Sequence, residues 1–317
     1  MTSALRPMAS LSLDLDDRWA YLKTHGEPGW ERWPSFLEVV VPRVLKFLAA
    51  RRLRVTVFIV GQDAALPRNR DALGALAAAG HEIGNHSFHH EPWWLERPES
   101  DVEAEIERAG EAIEGATGVR PRGFRGPGFT VSPAVIRALA RHGYRYDAST
   151  LPTFTGPLAR AYYRATMRRG ARRRPEVRRL FGGFGDGLRP LRPYRWRTDA
   201  GTVVEIPVTT LPGLRLPFHV SYLLWIATAS PAAAARYFEV ALALCRLAAA
   251  PPSVLLHALD FLGAEDAPDL AFFPAMRLPR DRKLALLAEL IGRLQARHAT
   301  VTLGEQALTV AGGAVAE

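Results

Sequence analysis

The segment "SFLEVVVPRVLKFLAARR" (residues 35–52) is followed almost at once by "RVTVFIVG" (54–61), and this pair decides the fold class. The first segment has the length and the apolar spacing of an amphipathic helix. The second is short, rich in β-branched residues and ends at a glycine, as a buried strand does. A helix that leads directly into a buried strand is the repeating unit of parallel sheets and β/α barrels.

The same alternation recurs along most of the chain. Further strand candidates are "ASLSLDLDD" (9–17), "HEIGNHS" (81–87), "GFRGPGF" (123–129), "YRYDAST" (144–150), "VVEIPVT" (203–209), "SVLLHALDF" (253–261) and "ATVTLG" (299–304). Helix candidates between them are 70–80, 98–118, 132–143, 230–250 and 280–298. The pattern predicts an α/β fold, and 317 residues suit a single barrel domain of about 250 residues with an insertion. In such folds, catalytic side chains collect where the strands end.

An arginine-rich insertion at about 152–200 interrupts the alternation. From Arg160 to Arg197 the chain carries thirteen arginines against Glu176 and Asp186, whereas the net charge of the whole chain is only +9. The basicity therefore belongs to one segment, which we expect to contain a short basic helix. Such a segment suits nucleic acid, anionic lipid or a phosphorylated substrate. No nucleic-acid-binding motif accompanies the arginines, which disfavours nucleic acid.

Cysteine content and hydropathy suggest a cellular location. Cys245 is the only cysteine, so an intrachain disulfide and a cysteine-rich metal site are excluded, and its apolar helix predicts a buried thiol. The first residues lack the apolar run of a signal peptide, and no stretch reaches the roughly 18 apolar residues of a membrane span. We therefore expect a cytoplasmic protein.

The first strand candidate, "ASLSLDLDD" (9–17), carries a pair of acidic residues. Asp14 and Asp16 share one strand face because side chains alternate, and Leu13 and Leu15 point the other way. Carboxylates this close repel each other, so a cation beside them would be stabilising. The alternative is an acidic strand end that faces solvent.

The stretch "GNHSFHH" (84–90) carries histidines at a metal-ligand spacing. His86 and His90 can reach one ion if the turn between them is helical, while His89 points away. Two histidines and one carboxylate form a catalytic zinc set with a position left for water. The alternative is a group of surface histidines near a turn.

Two further strand ends carry candidate residues. In "FRGPGF" (124–129), Arg125 precedes a glycine-proline loop whose exposed amides could stabilise an oxyanion. In "LLHALDF" (255–261), His257 lies where a strand meets its loop. An ordinary turn with a surface arginine and a structural histidine are the respective alternatives.

The order of these motifs is more informative than each motif alone. Asp-x-Asp is followed by His-Ser-x-x-His, Arg-x-Pro, Asp-Ala-Ser and Leu-x-His. This order resembles the polysaccharide deacetylase superfamily, carbohydrate esterase family four, and especially its cytoplasmic lipid-linked amino-sugar deacetylases. The resemblance covers about residues 10–150 and 203–305. It implies an irregular β/α barrel of seven or eight strands and a metal-dependent N-deacetylase that hydrolyses a linear amide.

The resemblance implies one divalent metal ion held by Asp16, His86 and His90. Zinc is the expected ion, with cobalt, nickel or manganese as alternatives. The family's first motif more often has adjacent carboxylates. Asp17 therefore remains an alternative ligand to Asp16, although strand alternation favours Asp16.

The resemblance also implies the catalytic groups. Asp14 would be the general base and His257 the general acid, with Arg125 keeping the base charged and oriented and Asp147 pairing with Arg125. Substrate contacts would come from Pro127, Gly128, Phe129 and Leu255. Among these, the Gly128 amide would meet the oxyanion and Leu255 would line the pocket for the acyl methyl group.

The expected substrate follows from the missing export signal. Within the family, a cytoplasmic member suits an N-acylated amino sugar linked to polyprenyl phosphate, at the inner face of the inner membrane. Residues 158–197 combine arginines with apolar side chains, which suits peripheral contact with an anionic membrane surface. The alternatives are a soluble amide deacylase acting on an antibiotic or nucleotide-sugar intermediate, and a catalytically inactive carbohydrate-binding member of the fold.

Overall fold

The structure, a computed structural model, describes residues 6–92, 97–167 and 182–312. The strands are β1 (Met8–Leu15), β2 (Thr56–Ile59), β3 (Glu82–Asn85), β4 (Gly123–Phe124), β5 (Tyr146–Asp147), β6 (Tyr194–Thr198), β7 (Gly201–Glu205), β8 (Ser253–His257) and β9 (Ala299–Val301). The helices are α1 (Arg18–His25), α2 (Leu37–Ala49), α3 (Gly61–Ala64), α4 (Arg70–Ala78), α5 (Glu99–Thr117), α6 (Pro133–Arg141), α7 (Gly156–Thr166), α8 (Val220–Ala227), α9 (Pro231–Leu247), α10 (Arg280–Arg297) and α11 (Leu303–Gly312).

The strands form one curved sheet in the order β6-β7-β5-β4-β3-β2-β1-β8, and β9 pairs with the start of β1. All neighbouring pairs are parallel except β6 and β7, which form an antiparallel hairpin. The Thr209 amide, beyond β7, donates to the Ser253 carbonyl at 3.1 Å, and the Ser253 amide donates to the Thr209 hydroxyl at 2.7 Å. These bonds join the two ends of the parallel ring, so the predicted irregular β/α barrel is confirmed.

Strand β1 is buried on both faces. Leu11, Leu13 and Leu15 belong to the main apolar core, whereas Ser12 and Asp14 lie on the opposite face and are also buried. The alternation of β1 therefore does not separate core from solvent, as in a half-buried strand. It separates the core outside the barrel from a polar interior.

The end of the barrel opposite the carboxyl ends of the strands is filled by apolar side chains. Phe58 packs with Tyr146 and with Leu303 and Ala307 of α11. Gly84 is required beside it, because a Cβ there would lie 2.5 Å from the Phe58 ring. With this end closed, the carboxyl ends of the strands are left to form a site.

The insertion contains an element that the sequence did not reveal. Strand β6, "YRWRT", was missed because arginines and prolines obscure its short apolar pattern. Helix α7 also lies within the insertion. The basic stretch "RRGARRRPEVRR" (168–179), for which a short helix was expected, lies outside the described residues.

The sequence predicts a buried thiol at Cys245 and no membrane-spanning stretch. Cys245 is fully buried, and burial raises the pKa of its thiol to about 12. Within the described ranges, no helix combines the length and the apolar character needed to cross a bilayer.

Candidate functional site

The acidic and histidine motifs converge at the carboxyl ends of β1 and β3. The Nε2 atoms of His86 and His90 lie 3.3 Å and 3.1 Å from the same oxygen, Oδ1 of Asp16. One potential ligand atom from each residue lies within 4.8 Å of the others. All three side chains are largely buried, with 2%, 9% and 5% of their respective residue surfaces exposed. Neither a solvent-facing acidic strand end nor a set of surface histidines describes this arrangement.

The protonation pattern of this cluster suits a divalent cation. Nδ1 of His86 lies 2.6 Å from the carbonyl oxygen of Arg125, which can only accept, so Nδ1 carries a proton and the neutral imidazole offers the lone pair of Nε2 to a metal ion. Oδ1 of Asp16 is buried and has no hydrogen-bond partner. Burial alone would raise the pKa of Asp16, but the nearby His90 and His86 hold it well below its usual range. Two histidines and one carboxylate match a three-ligand metal site with open positions.

The turn between the two histidines is not helical, contrary to the expectation from their spacing. Ser87 and His90 adopt left-handed backbone angles, with φ of 62° and 50°. Oδ1 of Asn85 accepts from the Ser87 amide at 2.8 Å, and the Ser87 hydroxyl accepts from the His90 amide at 3.2 Å. This tight polar turn brings both imidazoles to one side.

His89 is directed away from the cluster, as expected. Its Nδ1 lies 2.8 Å from Oε2 of Glu105 on α5. Oε1 of the same carboxylate accepts from the amides of Phe88 and His89. Glu105 therefore anchors the histidine loop to a helix outside the barrel.

Asp16 and Asp17 have different roles in the structure. Oδ1 of Asp17 accepts from the Arg18 amide at 2.7 Å and from the Phe36 amide at 3.0 Å. Asp17 is thus the N-cap of α1, whereas Asp16 faces the histidines. The geometry favours Asp16 as the ligand.

Arg125 and Asp14 form a fully buried pair. Nη1 of Arg125 donates to Oδ1 of Asp14 at 2.7 Å and to the Ser12 hydroxyl at 2.9 Å. Its Nε donates to the carbonyl of Ala148 at 2.9 Å, and its guanidinium carbon lies 4.4 Å from the centre of the Phe58 ring. The expected contact between this arginine and the candidate base is present, and it is rigidly held.

The expected pairing of Asp147 with Arg125 is not present. Within the described part of the chain, Asp147 forms no ion pair with Arg125, and Nη2 of Arg125 and Oδ2 of Asp147 each lack a hydrogen-bond partner. Asp147 instead pairs in register with Glu205 of β7, and its Oδ1 accepts from the Ser149 hydroxyl at 2.5 Å. Burial, followed by the adjacent Glu205, raises the pKa of Asp147 well above its usual range. A neutral acid beside a second carboxyl group is a poor partner for a guanidinium.

The loop at Pro127, Gly128 and Phe129 presents one available amide. Gly128 has a φ of 61°, and a Cβ there would lie 2.7 Å from the side chain of Pro92, so glycine is required. The Phe129 amide is used within the turn, where it donates to the Gly126 carbonyl. Among the contacts of the described residues, the Gly128 amide donates to no acceptor.

His257 lies at the end of β8, in register with Asp14. Its Nδ1 lies 2.9 Å from the hydroxyl of Ser221 on α8, and Ser221 in turn lies 2.7 Å from Oδ1 of Asp260. The segment at the start of α8 therefore covers this side of the site. Leu255 is fully buried and alternates with the core residues of β8, so it shares the interior face with His257.

A known protein family matches part of the chain. The family model described as polysaccharide deacetylase matches residues 26–146. A peptidoglycan deacetylase of Helicobacter pylori is 30% identical over 116 residues, which is 36% of this chain and 38% of that protein. A protein of Mycobacterium smegmatis assigned to the polysaccharide deacetylases has a solved structure with a TM-score of 0.64 at 20% identity, covering 98% of this chain and 92% of the other. The chain thus matches the polysaccharide deacetylase family over residues 26–146, about 38% of its length.

Two further similarities, one to a solved structure and one to a curated protein, show how much of the chain is matched. The structure of Puue allantoinase aligns with 97% of this chain and 91% of its own length at 17% identity, with a TM-score of 0.57, which supports the barrel fold. The uncharacterised YlxY of Bacillus subtilis is 30% identical over 94 residues, covering 30% of this chain and 28% of that protein. The chain thus matches about a third of the length of these two curated relatives.

Sequence reasoning missed several polar residues of this site. They are Ser12 within β1, Glu205 at the end of β7, and His219, Ser221 and Asp260 in segments outside the strands. Asp260 stands three positions after His257, and Glu205 is a carboxylate in an apolar strand, so both gave a weak signal. Ser221 gave none.

Proposed function

We propose that this protein is a metal-dependent hydrolase that removes an N-acetyl or other N-acyl group from an amino sugar. The observation that carries the proposal is the convergence of Asp16, His86 and His90 beside Asp14, whose carboxylate is fixed by the buried Arg125. His257 follows on the neighbouring strand in register with Asp14. One metal-ligand set and two proton-transferring groups are what amide hydrolysis requires.

Asp16, His86 and His90 would hold the metal ion, with zinc as the favoured ion for this ligand set. When bound, the ion would supply an acidified water and a positive charge near the scissile carbonyl. Nε2 of His86 also lies 3.9 Å from Oδ2 of Asp14, so the base borders this position.

The other steps fall to the side chains and backbone of the chain. Asp14 would accept the proton of the attacking water through Oδ2, because its Oδ1 is engaged by Arg125. The free amide of Gly128 would donate to the oxyanion of the tetrahedral intermediate. His257 would protonate the departing amine, which is a poor leaving group until it is protonated.

A lipid-linked substrate is supported by apolar side chains on the insertion. Leu158 and Tyr162 of α7 are 72% and 53% exposed, while Tyr163 and Met167 are buried, so α7 keeps an apolar outer face. Further exposed apolar side chains of the insertion are Phe184 and Leu188. Together with the surrounding arginines, these residues suit a peripheral contact with an anionic membrane. The proposed substrate is therefore a polyprenyl-phosphate-linked amino sugar at the cytoplasmic membrane face.

The test is acetate release by the purified, zinc-loaded protein from a bacterial membrane-lipid extract and from a soluble metabolite extract. Asp14→Asn is the control for background hydrolysis. Release from the lipid extract alone supports the proposed substrate. Release from the soluble extract alone replaces it with a small-molecule amide. If neither extract releases acetate above the control, the catalytic proposal is contradicted in favour of a carbohydrate-binding member of the fold.

A further inference from the structure

We infer that Ser221 and Asp260, supported by the buried Lys283, are positioning residues that fix the protonation geometry of His257. This inference rests on the proposed function, in which His257 is the general acid. It assigns a task to the start of α8 and to a lysine in the core. Neither belongs to the motifs that revealed the site.

The hydrogen bonds of Asp260 show which group donates and which accepts between Asp260, Ser221 and His257. Its Oδ2 accepts from the His257 amide at 2.8 Å, and its Oδ1 accepts from the Ser221 hydroxyl at 2.7 Å. Both oxygens therefore act as acceptors, as those of a carboxylate do. Because the Ser221 proton is directed to Asp260, its lone pair faces Nδ1 of His257 at 2.9 Å. Nδ1 must then carry a proton, which leaves Nε2 as the nitrogen that exchanges a proton with the substrate.

Lys283 supplies the positive charge behind this carboxylate. Its side chain is completely buried on α10, where Nζ donates to the Leu259 carbonyl at 2.9 Å and contacts Sδ of Met276 at 3.3 Å. Burial raises the pKa of Asp260, and the contacts with His257, Ser221 and Lys283 oppose this rise. A buried lysine under the turn that follows β8 thus helps to keep Asp260 able to accept from Ser221.

His219 completes the surroundings of the acid. Its ring centre lies 5.8 Å from that of His257, and burial followed by the nearby His257 and Arg125 lowers its pKa to about 3. His219 is therefore neutral at ordinary pH and places no positive charge beside the imidazolium form of His257. Among the described residues, the one carboxylate linked to the His257 ring through hydrogen bonds is that of Asp260.

The test compares two substrates that differ in their leaving groups. An N-acetyl amino sugar needs its amine protonated, whereas 4-nitrophenyl acetate releases a phenolate that needs no proton. We expect Ser221→Ala and Asp260→Asn to lower kcat on the amide by about 10- to 100-fold, the usual range for residues that orient a catalytic ligand or base. Ester turnover should change by less than about twofold. Ser221→Thr, which keeps the hydroxyl, should restore amide turnover.

The controls separate this inference from the proposed function. Thr228→Ala, just after the other end of α8, should leave both substrates unaffected. If His257→Ala retains amide turnover, the proposed role of His257 fails. If His257→Ala loses it while Ser221→Ala and Asp260→Asn do not, only the positioning inference is overturned. Equal losses on amide and ester in the Ser221 and Asp260 variants would also overturn it, because they would indicate general structural damage.

Discussion

Nδ1 of His86 lies 2.6 Å from the backbone carbonyl of Arg125, whose side chain at the same time holds Asp14 at 2.7 Å. One residue thus orients a candidate metal ligand through its main chain and the candidate base through its guanidinium. The ends of β1, β3 and β4 are fixed relative to one another by these two contacts. A displacement of Arg125 would move the ligand and the base together.

The first prediction concerns the metal ligands. We expect His86→Ala and His90→Ala each to weaken zinc binding by at least about 10-fold, because each removes one of the three side chains that would hold the ion. The measurement is zinc content by elemental analysis after dialysis against a weak chelator.

Matched controls are available within the same motifs. His89→Ala should retain zinc, since His89 contacts Glu105 instead. Asp16→Asn should lose zinc while Asp17→Asn keeps it, because asparagine caps a helix about as well as aspartate. Full zinc occupancy in both His86→Ala and His90→Ala would disprove the metal site.

A second prediction separates metal binding from proton transfer. Asp14→Asn should keep the metal and lower turnover by roughly 10²- to 10⁴-fold, the usual contribution of a general base. The amide oxygen can still accept from Arg125, so the pocket should keep its shape. The measurement is the initial rate of the zinc-loaded variant, and turnover equal to that of the wild type would refute the base assignment.

A third prediction uses the raised pKa of Asp147. The native state holds a proton on this group that the unfolded state releases above about pH 4, so wild-type stability falls as pH rises toward the raised pKa. The Asp147→Asn side chain carries no titrating proton, so this fall in stability with rising pH is absent from the variant. The variant should gain stability relative to wild type, by at most about 1.4 kcal/mol per pH unit, between pH 4.5 and 7.5.

Denaturant unfolding at these two pH values measures the difference. An ion pair between Asp147 and Arg125 would instead lower the pKa of Asp147 below that of the unfolded chain, so the stability difference between variant and wild type would stay nearly constant above about pH 4.5. A gain by the variant between pH 4.5 and 7.5 therefore supports the raised pKa, and a constant difference supports the ion pair.

The fourth prediction concerns Lys283. Burial lowers its pKa to about 8, so the native state releases its proton near pH 8 while the unfolded state keeps it to about pH 10. Wild-type stability contributed by this group should therefore rise with pH across that interval. Relative to Lys283→Met, the wild type should gain about 2 kcal/mol between pH 7.5 and 9.5.

Urea unfolding of both proteins at the two pH values tests this directly. Lys46→Met, a change on the outer helix α2, provides a control in which the two curves should shift together. A constant difference between the wild type and Lys283→Met would show that Lys283 is not titrated in this range.

The sequence was most informative where periodicity is local. Alternation in β1 correctly placed Asp14 and Asp16 on one face, and strand-helix alternation predicted the barrel. The turn geometry at Ser87 and His90 was not predicted, because a spacing of four between the histidines fits both a helical turn and this turn with left-handed residues.

Polar contacts between residues far apart in the sequence account for the other differences between the predicted and the observed site. Asp147 meets Glu205 only because β5 and β7 pair directly while the insertion that contains β6 lies outside them. Ser221 reaches His257 through the placement of α8 over the site. Neither contact has a spacing or a composition that a linear reading could detect.

The pairing of β1 with β8 also affects synthesis on the ribosome. Ser10 pairs with Ser253, so one edge of β1 emerges about 240 residues before its partner, or roughly 10–50 s at common elongation rates. His90, the last of the candidate metal ligands, is made 167 residues before the proposed proton donor His257. Until β8 is made, β1 exposes an unpaired strand edge that a chaperone could shield until the barrel closes.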